Sequence, residues 1–119
     1  SKSVFLVCNL VRSHWALMVV HMEGVNADSV DLYDSLQSYR GSREAQKLAD
    51  AFFKAYLPTT PSANRKVLLA AVPQQKNAVD CGVFTLVFGF HIAGGRQIPA
   101  HVDGKVWRRV LGVLVGIAI

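Results

Sequence analysis

Residues 73–84 read Pro73-Gln74-Gln75-Lys76-Asn77-Ala78-Val79-Asp80-Cys81-Gly82-Val83-Phe84, a turn-rich segment that runs into an apolar helix with a cysteine at the junction. Asp80 stands where an N-cap is needed, and Val83, Phe84, Leu86, Val87, Phe88, Phe90, Ile92 and Ala93 continue the helix. A helix apolar nearly all round belongs in the middle of a core. Its burial fixes the cysteine while the first turn leaves the thiol exposed. Cysteine attacks as thiolate, and the unpaired N–H groups of a helix N-terminus stabilise that charge.

A nucleophilic thiol needs a base, a group that orients the base, and an oxyanion donor. Upstream, His14-Trp15 opens the strand-like run Ala16-Leu17-Met18-Val19-Val20, and Asp34 closes a second run, Val30-Asp31-Leu32-Tyr33-Asp34. Strand side chains alternate, so Asp34 shares a face with Val30 and Leu32. A carboxylate on an apolar face requires a partner. If the two runs pair through the turn containing Gly24, Asn26 and Asp28, His14 meets Asp34 at the open end of a hairpin. The side-chain amide of Gln75 and the backbone N–H of Cys81 are then candidate oxyanion donors. Taken singly, each residue has a plainer reading: His14 a strand-end histidine, Cys81 a core thiol, Asp34 a turn residue, Gln75 and Asn77 loop hydrogen-bonders. Asp80 reads as a cap rather than a catalytic group, and Gln74 fits the oxyanion spacing less well than Gln75.

Taken together, His14-Trp15, Tyr33-Asp34-Ser35-Leu36 and Gln75-x-Asn77-x-x-Asp80-Cys81-Gly82-Val83-Phe84 resemble the signatures of the ubiquitin-like-protein proteases, the SUMO-specific (sentrin-specific) cysteine proteases. Three motifs in order, with the glutamine six residues before the cysteine, make the likeness specific. It implies a papain-like α+β fold, a mainly antiparallel sheet packed on a buried helix that carries the nucleophile. It implies Cys81 as nucleophile, His14 as general base and acid, Asp34 as its orienter and Gln75 as oxyanion donor. Trp15, Asn77 and Gly82 fall at substrate-binding positions, with Trp15 roofing a channel that admits a glycine-glycine tail. The implied reaction is cleavage after the C-terminal glycine of SUMO or a related modifier, in precursors or conjugates. The implied partners are those modifiers, with no cofactor and no metal. Two other readings remain: a degenerate, non-catalytic modifier-binding domain, or a deubiquitinase or other acyl-transfer enzyme with the same site.

Two departures from the family pattern stand out. Its members carry an N-terminal portion with a second tryptophan, so the chain is expected to be an N-terminally truncated catalytic domain, a single unit over residues 1–119. Glu23 to Ser29 also reads as a polar loop insertion, which a fold tolerates at small entropic cost.

Composition agrees with one small domain: 119 residues, 51% hydrophobic. A mean hydropathy of +0.27 is high for so short a chain and suits a domain that docks on something. Cys8 and Cys81 are too few for a disulfide framework, which favours a reducing compartment. The resemblance implies an intracellular address, nucleus or cytoplasm, or secretion as an effector if the source is a pathogen or symbiont. The longest apolar runs fall short of the roughly 20 residues that cross a bilayer. The net charge of +5 is scattered rather than striped, so neither a nucleic acid nor a membrane is an expected partner. His21, His91 and His101 lack metal-ligand spacing.

The pattern predicts strands near 4–11, 15–22, 29–34 and 67–72 and helices near 42–57, 81–93 and 103–117. In the first helix Ala45, Leu48, Ala49, Phe52, Phe53, Tyr56 and Leu57 form the apolar face, with Ser42 as cap and Pro58 as stop. Residues 67–72 suit a buried strand.

Overall fold

Short apolar runs turn the N-terminal part of the chain into an antiparallel meander: β1 (Lys2–Leu10), β2 (His14–Glu23) and β3 (Asn26–Tyr33). The computed structural model describes residues 2–11, 14–77, 80–107 and 109. A short fourth strand, β4 (Val67–Leu69), pairs parallel to β3 and completes the order β1-β2-β3-β4. Helix α1 (Tyr39–Tyr56) connects β3 to this edge, followed by a 3-10 turn at Ser62–Asn64, and α2 (Cys81–Ala93) follows β4.

The two faces of β2 separate the core into two layers. Ala16, Met18 and Val20, with Cys8, Leu10, Val30 and Leu32, pack against Ala45, Ala49 and Phe53 of α1. Leu17 and Val19 point the other way, onto Val83, Phe84, Val87 and Phe88 of α2. Phe53 and Phe88 are fully buried, each contributing about 2–3 kcal/mol of transfer free energy. The sheet is thus sandwiched between helices. An edge-to-face contact of Phe84 on Phe88, ring centroids 6.0 Å apart, adds to the second layer.

Several expectations needed correction. Glu23 to Ser29 is no loop insertion. Glu23 pairs with Asn26 across a two-residue turn in which Gly24 takes φ 62°, and β3 begins at once. The extra residue is Asp28, a β-bulge, since His21 pairs with Ser29 while Met22 pairs with Ala27. Helix α1 starts three residues early because Ser38, not Ser42, caps it. The Ser38 hydroxyl accepts from the Gly41 N–H at 2.9 Å. β4 ends at Leu69 and lies half-exposed, because an edge strand has a neighbour on one side only. Helix α2 has the expected limits but not the expected full burial: Leu86 and Phe90 are 50% and 53% exposed, because only one side meets the sheet. Of the helix expected over 103–117, residues 104–107 and 109 are helical, and 108 and 110–119 lie outside the described residues.

Candidate active site

His14 and Asp34 meet where β2 begins and β3 ends. Leu17 opposes Tyr33 in the last pair of the ladder, which sets Asp34 level with Ala16, and His14, two residues nearer the start of β2 on the same face, reaches it diagonally. Asp34 is fully buried, at 0% exposure, among the apolar residues of the α1 layer, as its parity with Val30 and Leu32 requires. Its Oδ1 takes the His14 Nε2 contact and also accepts from the Leu36 N–H at 2.9 Å. With Nε2 committed to the carboxylate, the other ring nitrogen, Nδ1, is buried without a hydrogen-bond partner. That is the division of labour a catalytic imidazole needs: one nitrogen held, one left to exchange a proton.

The first turn of α1 faces the same carboxylate. A Cβ at Gly41 would stand 3.6 Å from Asp34 Oδ2 and 3.0 Å from the Ser38 hydroxyl, so the helix approaches here with little room. The positive end of the α1 dipole therefore lies by the buried charge, and α1 carries no acidic residue of its own in that turn.

Cys81 is the first residue of α2, as expected, but it is buried at 6% rather than exposed. The helix meets the sheet from its first turn. Thr85, one turn on, donates its hydroxyl to the Trp15 carbonyl at 3.1 Å. Residues i and i+4 share a helix face, so this bond also sets Cys81 on the side of α2 turned to the start of β2. No hydrogen bond joins Cys81 to His14 Nδ1. Asp80 occupies the N-cap position, yet its side chain makes no capping hydrogen bond. It accepts from the Asn77 side-chain amide at 2.8 Å and packs onto Gly104, where a Cβ would lie 2.3 Å from its carboxylate. The N–H groups of the α2 first turn lack intrahelical acceptors. A Cβ at Gly82 would meet nothing within 4 Å, so the backbone there faces open space.

Gln75 is buried, its Oε1 accepting from the Ser35 hydroxyl while Nε2 donates to the Asn77 carbonyl at 2.5 Å. An amide nitrogen has two N–H groups, so one remains for an oxyanion. Gln74 is engaged elsewhere, its Nε2 donating to the Asp34 carbonyl at 2.9 Å and its Oε1 accepting from the Gln37 N–H at 2.9 Å. Both glutamines tie the segment before Cys81 to the strand end that carries Asp34. Trp15, 43% exposed, lies on the α2 side of the sheet beside this junction. A cavity of about 360 Å³ lined by Gln74, Lys76, Asn77, Asp80 and His101 adjoins the N-terminal end of α2.

Sequence reasoning passed over Ser35, Gln74 and Thr85 as structural links. Thr85 was the most legible, since a lone hydroxyl on an apolar helix must find a partner when buried. Among the described residues no group of three or more His, Cys, Asp or Glu could hold a metal ion, and no helix is long and apolar enough to cross a membrane.

Residues 2–99 match the model of the Ulp1 protease family, C-terminal catalytic domain. Among solved structures the chain resembles SUMO protease Ulp1 with its catalytic cysteine oxidised to a sulfinic acid, at TM-score 0.70 and 20% identity over 90% of this chain and 48% of that one. It also resembles the C-terminal Ulp1 protease domain in complex with Smt3, the yeast orthologue of SUMO, at TM-score 0.63 and 21% identity over 81% and 43%. The chain spans about half the length of these structures. No curated protein matches it.

Proposed function

The chain belongs to the Ulp1 protease family, and from that premise we propose that it is a cysteine peptidase or isopeptidase that cleaves after the C-terminal glycine of SUMO or a related ubiquitin-like modifier. The observation that carries the reading is the His14–Asp34 contact: a buried carboxylate holds Nε2 and leaves Nδ1 unpartnered, while Cys81 opens a helix that Thr85 ties to the strand His14 begins.

In this mechanism His14 Nδ1 takes the Cys81 proton, and the thiolate adds to the glycine carbonyl. The oxyanion is held by the Cys81 N–H and the second N–H of Gln75. His14 then protonates the departing amine and activates water for release of the acyl group, while Asp34 stabilises the imidazolium formed in each half-reaction. Cys81 must close on His14 for the first step, since no hydrogen bond links them here. Trp15 and the open side of Gly82 would border the modifier's tail, and Asn77 shapes the approach through its bonds to Asp80 and Gln75.

Intact-mass analysis after mixing the chain with SUMO, ubiquitin and related modifiers bearing thiol-reactive C-terminal warheads tests this directly, with Cys81→Ala as control. A Cys81-dependent adduct with SUMO or a close relative is the expected result. An adduct with ubiquitin alone would reassign the substrate. Modifier binding by a folded chain that forms no adduct would replace the enzyme with a binding domain.

A further inference from the structure

The end of β1, where Leu10 pairs with His14, is braced from α1. Val11, between β1 and β2, takes φ 47° and is the one residue other than glycine with positive φ among the described residues. A β-branched side chain strongly disfavours that conformation, so something must hold it. Its N–H donates to the Glu44 carboxylate at 2.9 Å, across 33 residues of sequence. Glu44 is itself steadied by Arg40 one turn earlier, Nε to Oε2 at 3.3 Å. The Val11 side chain sits close to Gly41, where a Cβ would be 3.9 Å from Val11 Cγ2 and 3.6 Å from Asp34 Oδ2. Three features therefore converge on one place: a strained Val11 next to the Leu10–His14 pair, a carboxylate that holds it, and a glycine that lets the helix close on Asp34.

We infer that Glu44 is a positioning residue for the catalytic pair: it pins the strained Val11 turn to α1 and thereby sets the His14 imidazole on Asp34. The role in turnover rests on the proposed function, but the positioning of His14 does not. Glu44 touches no reacting atom. Its loss lets Val11 relax toward negative φ, and the start of β2 shifts with it.

The test compares Glu44→Ala, Glu44→Gln and the double variant Glu44→Ala with Val11→Gly. Each is read by turnover of a fluorogenic modifier amide and by the low-field NMR resonance of the proton between His14 and Asp34, assigned by its loss in His14→Gln. Glu44→Ala should lower kcat about 10- to 100-fold with KM little changed, as for a small displacement of a catalytic group, and should abolish or broaden the resonance. Glu44→Gln keeps an acceptor for the Val11 N–H and should restore both. Glycine at position 11 accepts positive φ without strain and should recover part of the loss. An unchanged resonance in folded Glu44→Ala would overturn the inference, as would equal damage from Glu44→Gln. If Glu44→Ala does not fold, Glu44→Asp, which draws the acceptor back by one methylene, is read in the same way. The resonance needs no substrate, so a chain inactive on every modifier would still decide the question.

Discussion

In the proposed mechanism Asp34 serves both the stability of the site and its chemistry, and the two can be separated by substitution. Alanine at this position removes the acceptor of the His14 ring N–H and of the Leu36 N–H, both held by Oδ1. Each of these part-buried donors left without a partner costs about 1–3 kcal/mol, so Asp34→Ala should lose about 2–6 kcal/mol of folding stability. Asparagine retains a carbonyl oxygen for those donors but turns an amide toward the first turn of α1, where the dipole favours an anion. The penalty there is about 1 kcal/mol. Turnover should fall about 10²- to 10⁴-fold in Asp34→Ala, the usual worth of positioned acid–base catalysis, and by less in Asp34→Asn. Urea denaturation followed by tryptophan fluorescence gives the stabilities, and a fluorogenic modifier amide gives the rates. If Asp34→Ala stays within about 0.5 kcal/mol of the parent, the range of an ordinary surface substitution, the two bonds to Oδ1 do not hold the fold and the assignment is refuted.

Thr85→Val keeps the side chain's shape but removes the donor to the Trp15 carbonyl, so it should cost about 1 kcal/mol in urea and slow warhead capture by Cys81 about tenfold; an unchanged capture rate would show that this bond does not place the thiol. Burial pushes the Cys8 thiol above its ordinary 9.0, and burial together with the Asp31 charge pushes the Tyr33 phenol above its ordinary 10.0. Both groups stay protonated longer in the folded chain than in the unfolded one. Their stabilising contribution is therefore complete below about pH 9 and lost as the pH rises through the folded values, so Tm should drop above pH 9, and less steeply in Cys8→Ala. Iodoacetamide at neutral pH should accordingly leave Cys8 of the folded chain unmodified, which peptide mass mapping would check.

Much of the site was readable in one dimension because each part obeys a local rule. Alternation placed Asp34 with Val30 and Leu32, and a buried carboxylate had to find a cation or a donor. A turn followed by an apolar run placed Cys81 at the head of a helix. Pairing of the two strand-like runs brought the start of one to the end of the other, and the His14 side chain spans the remaining offset to Asp34. Other features lay outside any local pattern. Ser38 and Ser42 are both sound caps by composition, and the bond from the Gly41 N–H to Ser38 decided between them. The apolar run of α2 gave no sign of which side would stay exposed, because that depends on where the sheet ends. Residues 67–72 read as a buried strand, but only Val67–Leu69 form one, at the edge of the sheet, where Leu68 and Leu69 stay half-exposed.

By itself, then, the sequence determined the parts: strands by short apolar runs, α1 by a period near four, α2 by a turn leading into an apolar run, and motifs whose order resembles one family. Tertiary structure alone decided how those parts are held. The bonds from Thr85 to Trp15, from Glu44 to Val11 and from Gln74 to the Asp34 carbonyl each span more than 30 residues. Contacts at such separation follow from the packing of two helices on opposite faces of one sheet, which no local periodicity encodes.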